Sequence, residues 1–313
     1  MNDQLPMFDS PADTWDREAA KHSLDELFVQ ARQYKSGKEY RNLLEFISRF
    51  RSYSVFNALL VHVQMPGARY VAPPSRWKRD YHRVIRLGAR PLVILKPMGP
   101  VMFVFDVSDT EPLEGAPTLP KEVTDPFAVN YGHIHDELAK TIENAKRDGI
   151  NIAQQDAGSL SAGSIQTVAP GQTAKFLLRE KPRPEYQSTP VLYGILLNAK
   201  QSAETQYATL AHELAHLYCG HLGSPNPQWW PDRRGLSDSA CELEAESVCF
   251  LVCQRLGIEN PSEKYLSTYV KDDDQLNKIS LECVIKSAAL IEQMGKEKLT
   301  ARKTNTPQSD HAI

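Results

Sequence analysis

The sequence predicts an α+β protein of two domains, a small basic α+β domain followed by a larger one. Three observations lead there. Residues 31–100 hold 14 Lys and Arg against Glu39, Glu45 and Asp80, a net +11, while the rest of the 313 residues carries 22 basic and 36 acidic groups. Residues 108–126 contain four prolines, one glycine and five acids without apolar periodicity, the composition of a linker. The run "TLAHELAHLYCGHL" at residues 209–222 sets two histidines four apart, on one face of a helix.

Each element follows from local pattern. Residues 1–22 carry no apolar period and are expected to be disordered, and the first domain is placed at 23–107. Leu27, Phe28, Ala31 and Tyr34, then Leu43, Leu44, Phe46, Ile47 and Phe50, recur at helical spacing, and "SVFNALLVHVQ" adds a third helix that Pro66 and Gly67 end. The β-prone runs "PLVILKP" (91–97) and "VMFVFDV" (101–107) flank a turn at Met98, Gly99 and Pro100. The second domain, 127–299, opens with a helix over 133–148. A Gly/Ser/Gln-rich stretch to about 172, a strand at "AKFLLRE" and a loop with three prolines come next. The run "VLYGILLN" (191–198) is then either a core strand or an edge strand that docks an extended peptide. Ser202 caps the helix that carries the opening motif, which Gly220 or Gly223 should stop. Helices over "SDSACELEAESVCFLVCQRLG" and "DQLNKISLECVIKSAALIEQMGKEKL" follow, and the tail 300–313 is expected to be disordered.

No stretch of eighteen apolar residues occurs, and the acidic start lacks the basic-then-apolar pattern of an export signal, so a cytoplasmic protein without a membrane partner is expected. The five cysteines, Cys219, Cys241, Cys249, Cys253 and Cys283, contain no C-x-x-C pair, which argues for reduced thiols rather than disulfides or a thiolate site.

In "HELAH", His212 and His216 supply two nitrogen ligands. Catalytic zinc takes three protein ligands and keeps one position open, and a carboxylate beside it can act on water, the role that Glu213 fits. The third ligand is sought on the next helix, where "CELEAES" sets Glu242 and Glu246 on one face, with Asp238 a turn earlier and Glu244 about 200° away. Glu242 is assigned as the third ligand, and Glu246 as the acid that orients a ligand histidine through its other ring nitrogen. A solvated acidic helix face is the alternative. His221, five residues beyond His216, is expected near the site but not as a ligand. Tyr193, Tyr218, His221 and Arg233 are candidates for stabilising an oxyanion. Zinc is the expected ion, and manganese also suits two imidazoles and a carboxylate.

The basic window attracts polyanions, and Tyr40, Phe50, Tyr53, Phe56, Tyr70, Trp77 and Tyr81 are interleaved with its charges, so that rings can stack on unpaired bases while Arg and Lys follow the backbone; for any single residue the alternative, a core ring beside a solubilising charged face, is favoured. The densest cluster, Arg76, Trp77, Lys78, Arg79, Tyr81 and Arg83, is the candidate nucleic-acid contact.

Together these motifs resemble ArdC-like antirestriction proteins with an ImmA/IrrE-type metallopeptidase domain. The resemblance covers most of residues 40–270 and rests on "TLAHELAHLYCGH" and "ELEAESVCFLVCQRLGI" in the second domain, and on "FRSYSVFNALLVHVQMPGARYVA", "PLVILKP" and "FVFDVSDTEPL" in the first. It implies a first domain that binds single-stranded DNA and a second with a zincin-like (HExxH) fold, with His212, His216 and Glu242 as ligands and Glu213 as acid/base. The stretch "DYHRVIRLGARPLVIL" departs from the glycine- and lysine-rich form G-R-x-V-x-K-G-E-K-G of such proteins. The expected function is that of a zinc-dependent endopeptidase acting on a protein or peptide in defence, antirestriction or mobile-element biology. Two alternatives stand beside it: a DNA-binding antirestriction protein whose metal is structural, and a protease activated by single-stranded DNA.

Overall fold

A computed structural model of the chain describes residues 36–96, 99–120, 123, 132–155, 163–258, 266 and 276–302. The expectations for residues 1–22, for the first helix before residue 36 and for the tail beyond Arg302 lie outside these residues. The chain divides into two compact units, Met1–Tyr34 with Asn57–Ala128, and Lys35–Phe56 with Val129–Ile313. Both mix helix and strand, as an α+β chain should.

The second unit begins with α1 (Gly37–Arg49), opened by a capping box in which Ser36 accepts from Glu39 N and Glu39 accepts from Ser36 N. The first unit starts within α2 (Val55–Gln64), whose first two residues count with the second unit. There follow β1 (Val71–Ala72), α3 (Pro74–Tyr81), β2 (Arg83–Ile85), β3 (Leu92–Lys96), β4 (Gly99–Asp106) and β5 (Thr110–Pro112). A sheet of order β1-β4-β3 and a ribbon of β2 with β5 are antiparallel throughout.

Asn57 and Gln64 lie seven apart on one face of α2. Their amides bond both backbone groups of Leu95 and of Val93 at 2.9–3.0 Å, so side chains close the free edge of β3 as a strand would. Trp77 is fully buried beside Tyr81 and Ala72, and its ring N–H donates to Phe105 O at 2.9 Å.

The second unit continues with α4 (Glu137–Ala145), β6 (Ile150–Gln155), β7 (Gly163–Thr167), β8 (Thr173–Arg179) and β9 (Glu185–Pro190). It ends with β10 (Tyr193–Asn198), α5 (Ala203–Tyr218), α6 (Asp238–Leu256) and α7 (Leu281–Lys296). Strand β10 is central, parallel to β6 and antiparallel to β7, and β8 with β9 forms a separate hairpin. The core is where α6 packs against α1, α5 and α7; Leu243, Ala245, Val248, Leu251 and Val252 are inaccessible there. Arg255 of α6 ends α1. Its guanidinium donates to the carbonyls of Ile47 at 2.9 Å, Phe50 at 3.0 Å and Tyr53, and to Glu292 at 3.1 Å, and so satisfies backbone acceptors that a helix end leaves open.

Several expectations need correction. Residues 35–56, expected in the basic domain, cluster with the second unit because Tyr40, Leu43, Leu44 and Ile47 are buried and the Tyr40 hydroxyl donates to Ser247 of α6. The charge window is divided accordingly, and residues 57–128 hold nine basic against seven acidic residues. The expected linker contains β5, and Leu119 and Val123 pack on Trp77 and Tyr81, so this segment belongs to the first unit. Strand β10 is paired on both sides and offers no free edge; the edge strands of its sheet are β6 and β7. Helix α7 starts late because Ser280 caps it, accepting from Cys283 N. The start of the tail is anchored by Arg302, which donates to buried Asp148 at 2.7 Å.

Asp148 supports a pH prediction. Burial favours its neutral form, but hydrogen bonds from Arg302 and Arg147 outweigh this and hold its carboxyl below the usual range; the Tyr218 hydroxyl also donates to it. A carboxyl depressed on folding stabilises the fold above its unfolded pKa of about 4, and that contribution is lost as pH falls through the lower folded value. Urea denaturation across this acid range should show a steeper loss of stability for the natural protein than for Asp148→Asn. In a second variant, Arg255→Ala should cost about 3–5 kcal/mol in the same assay, because Glu292 loses its buried partner and three carbonyls their donor.

Candidate metal centre

Helix α5 starts at Ser202, whose hydroxyl accepts from Thr205 N, and it buries Tyr207, Leu210, Ala211, Leu214, Ala215 and Leu217. With that face fixed, His212 and His216 turn toward α6. Their Nε2 atoms lie 3.1 Å apart. Glu242 of α6 reaches both, Oε2 to His212 Nε2 at 3.6 Å and Oε1 to His216 Nε2 at 3.5 Å. Donors held about 2.1 Å from a tetrahedral zinc stand about 3.4 Å from one another, so the three separations fit one ion. The Glu242 side chain is 42% exposed, which leaves the group open to solvent on one side.

Both imidazoles are held in the form that can ligate. Burial, with His212 and His221 nearby, pushes His216 down to about 3. Burial also lowers His212, against the pull of Glu242 and helped by His221. Glu213 moves the other way, up to about 7, through burial and the neighbouring Glu242, opposed by a hydrogen bond from the Ile165 backbone. Ile165 lies on β7. Because Val168 N donates inward to Leu192 O, alternation along the strand turns the backbone groups of Gly163, Ile165 and Thr167 away from β10, on the side where Glu213 lies. Glu246 stands 3.6 Å from His212 Nδ1, near this ring but beyond hydrogen-bond distance.

What the sequence did not disclose is the far side of the two rings. Gly220, at φ +87°, ends α5 in a Schellman motif in which His221 N donates to His216 O and Gly220 N to Leu217 O, both at 2.9 Å. A Cβ at Gly220 would lie 2.2 Å from Pro231 O, so only glycine fits. The turn folds His221 back until its Nδ1 is 3.0 Å from His216 Nδ1. Glu244, pointing away from Glu242 and 0% exposed, receives His221 Nε2 at 2.9 Å, Arg233 at 2.6 and 2.7 Å, and Ser280 N at 2.6 Å. Burial opposes its charge, but His221, Arg233 and Ser280 hold its carboxyl below the usual range. Cys219, His221 and Glu244 form a second cluster of ligand types, yet both Glu244 oxygens are taken by Arg233 and burial keeps the Cys219 thiol protonated.

The four oxyanion candidates are otherwise engaged. Tyr218 bonds Asp148, Tyr193 reaches Gly223 O at 3.5 Å, and His221 and Arg233 bond Glu244. In the first unit, Trp77 and Tyr81 are core rings on which no base can stack. Arg79 and Arg76 pair with Asp80 and Arg83 bonds Thr110, while Lys78 is exposed.

Comparison with known proteins bears on the same helices. Residues 172–253 match the family model of the IrrE N-terminal-like domain, Peptidase M78. This IrrE-like segment runs from the turn before β8 into α6 and contains His212, Glu213, His216, Glu242, Glu244 and Glu246. No curated protein matches the chain. Among solved structures, two of the antirestriction ArdC protein from plasmid R388 are similar. The metal-free one is 15% identical over 78% of this chain and 85% of that one, with a TM-score of 0.32; the Mn(II)-bound one is 14% identical over 91% and 100%, with a TM-score of 0.35. At such scores the roles of individual residues rest on this chain's own geometry.

Isothermal titration with zinc or manganese should find one site per chain. Glu242→Ala should weaken it by about 100-fold or more, beyond what loss of an outer hydrogen-bond partner costs.

Proposed function

We propose that the second unit is a zinc-dependent endopeptidase. The observation that carries this reading is the meeting of two neutral imidazoles and the Glu242 carboxylate at 3.1–3.6 Å, with a half-buried acid, Glu213, next in sequence to one of them. Zinc held there would supply Lewis-acid polarisation of a peptide carbonyl and of water. The chain supplies the remainder. The outward backbone groups of Gly163, Ile165 and Thr167 on β7 pair with an extended substrate, replacing the present bond from Ile165 to Glu213. Glu213 takes a proton from the attacking water as the new C–O bond forms, then delivers it to the amine nitrogen as the C–N bond breaks. Glu246 holds the ring of His212.

The IrrE-like match over residues 172–253 supports membership among metallopeptidases, and a role in antirestriction, other defence or mobile-element biology is part of the same proposal. The alternative, in which the metal is structural, differs in one measurable respect. Glu213→Gln keeps all three ligands, so it should bind zinc like the natural protein while abolishing cleavage of the target found by comparing protein fragments from cells expressing either form. Retained biological activity in Glu213→Gln would favour the structural metal.

Single-stranded DNA binding is proposed for the first unit. Residues 69–96 hold eight basic residues against Asp80 alone, and Phe103 of β4 is 54% exposed, a ring open to stacking where Trp77 and Tyr81 are not. Fluorescence anisotropy of a labelled oligonucleotide with the full chain should show affinity that falls steeply with salt and weakens in Phe103→Ala. Absence of binding at low ionic strength would remove this part. Cleavage that appears only when the oligonucleotide is added would identify a DNA-activated protease.

A further inference from the structure

The array of Arg233, Glu244 and His221 lies behind the metal centre and meets it through the contact of His221 with His216. We infer that this array selects the tautomer of His216 and so acts as a positioning device for that ligand, an inference that rests on the metal-centre reading above. Arg233 donates to both oxygens of Glu244 at 2.6 and 2.7 Å, and the Ser280 amide donates to Oε1 at 2.6 Å. Arg233 balances the charge of Glu244, so the carboxylate acts on His221 as an oriented acceptor. Its Oε2 faces His221 Nε2 at 2.9 Å and therefore requires hydrogen on that nitrogen.

A neutral imidazole protonated at Nε2 carries a lone pair on Nδ1. In His221 that atom faces His216 Nδ1 at 3.0 Å, so His216 is the donor there. The consequence is a bare Nε2 on His216, which in the metal-free chain accepts from His212 Nε2 at 3.1 Å, with Glu242 Oε1 3.5 Å away. With His221 neutral, the opposite assignment sets two lone pairs against each other between His221 and Glu244. It also leaves a hydrogen on His216 Nε2, which an incoming cation would have to displace.

Three separate features of the chain build this device. Gly220 in the left-handed conformation returns His221 to His216, Arg233 N donates to Gly220 O at 2.8 Å to fix the following loop, and Glu244 occupies the face of α6 opposite Glu242. His221 bonds His216 on one side and Glu244 on the other, so it is a positioning residue and not a catalytic one.

Long-range nitrogen-15 NMR of the metal-free full chain at neutral pH reads the tautomer directly. His216 should show a protonated Nδ1 and a bare Nε2, and this preference should be lost in His221→Phe. Zinc titration should give about 10–100-fold weaker binding for His221→Phe, the usual effect of losing an outer partner, and recovery of most of that loss in His221→Gln, whose amide oxygen can accept from His216. Hydrogen on Nε2 of His216 in the natural protein, or zinc binding by His221→Phe as tight as the natural protein's, would overturn the inference. Failure of the natural protein to bind any divalent ion would instead overturn the metal-centre reading, and the metal-free tautomer would still decide this one.

Discussion

Two helices must lie close together and in one register for imidazoles on one and a carboxylate on the next to come within 3.6 Å of each other. In this protein the constraint is met by burial. Ala211, Leu214 and Ala215 on α5 and Leu243, Ala245 and Val248 on α6 are essentially inaccessible, and the small residues among them let the backbones approach. A close-packed interface of this kind cannot slide by part of a turn without opening voids, so the three donors inherit its rigidity. The polar residues add direction: Glu242 and Glu246 lie on the side of the rings, and Glu244 is committed to Arg233 and His221.

The layout explains how one helix serves opposite chemical demands. Neutral, desolvated imidazoles suit a cation, while desolvation of Glu213 raises its affinity for a proton. Burial supplies both effects, because it penalises whichever form is charged. The edge of β7 brings backbone donors to the same place, and the Ile165 backbone there lowers the Glu213 pKa against the effect of burial.

Much of this was legible in the sequence. The caps Ser202 and Gly257, the helical period of apolar residues and the four-residue spacings in "HELAH" and "CELEAES" are local signals, and they place α5, α6 and the residues His212, His216, Glu242 and Glu246. Strands β6, β7 and β9 are not signalled locally because "INIAQQ", "GSIQT" and "EYQSTP" are polar, largely exposed runs whose strand state comes from their pairing partners, the distant β10 for β6 and β7 and the neighbouring β8 for β9. Charge was misleading for a related reason. A window of sequence that is basic on paper is split when α1 packs on α6, and Trp77 and Tyr81 turn inward from a helix whose outer face carries the arginines. The role of His221 depends on a left-handed glycine and on Arg233 and Glu244, eleven residues apart, a combination that no spacing rule encodes.

The most direct test of the central claim is X-ray absorption spectroscopy of the full chain loaded with one equivalent of zinc. The geometry predicts a shell of nitrogen and oxygen donors only, with the outer-shell scattering of two imidazoles and without sulfur. A shell containing sulfur, a single imidazole or none, or a protein that retains no zinc would contradict it.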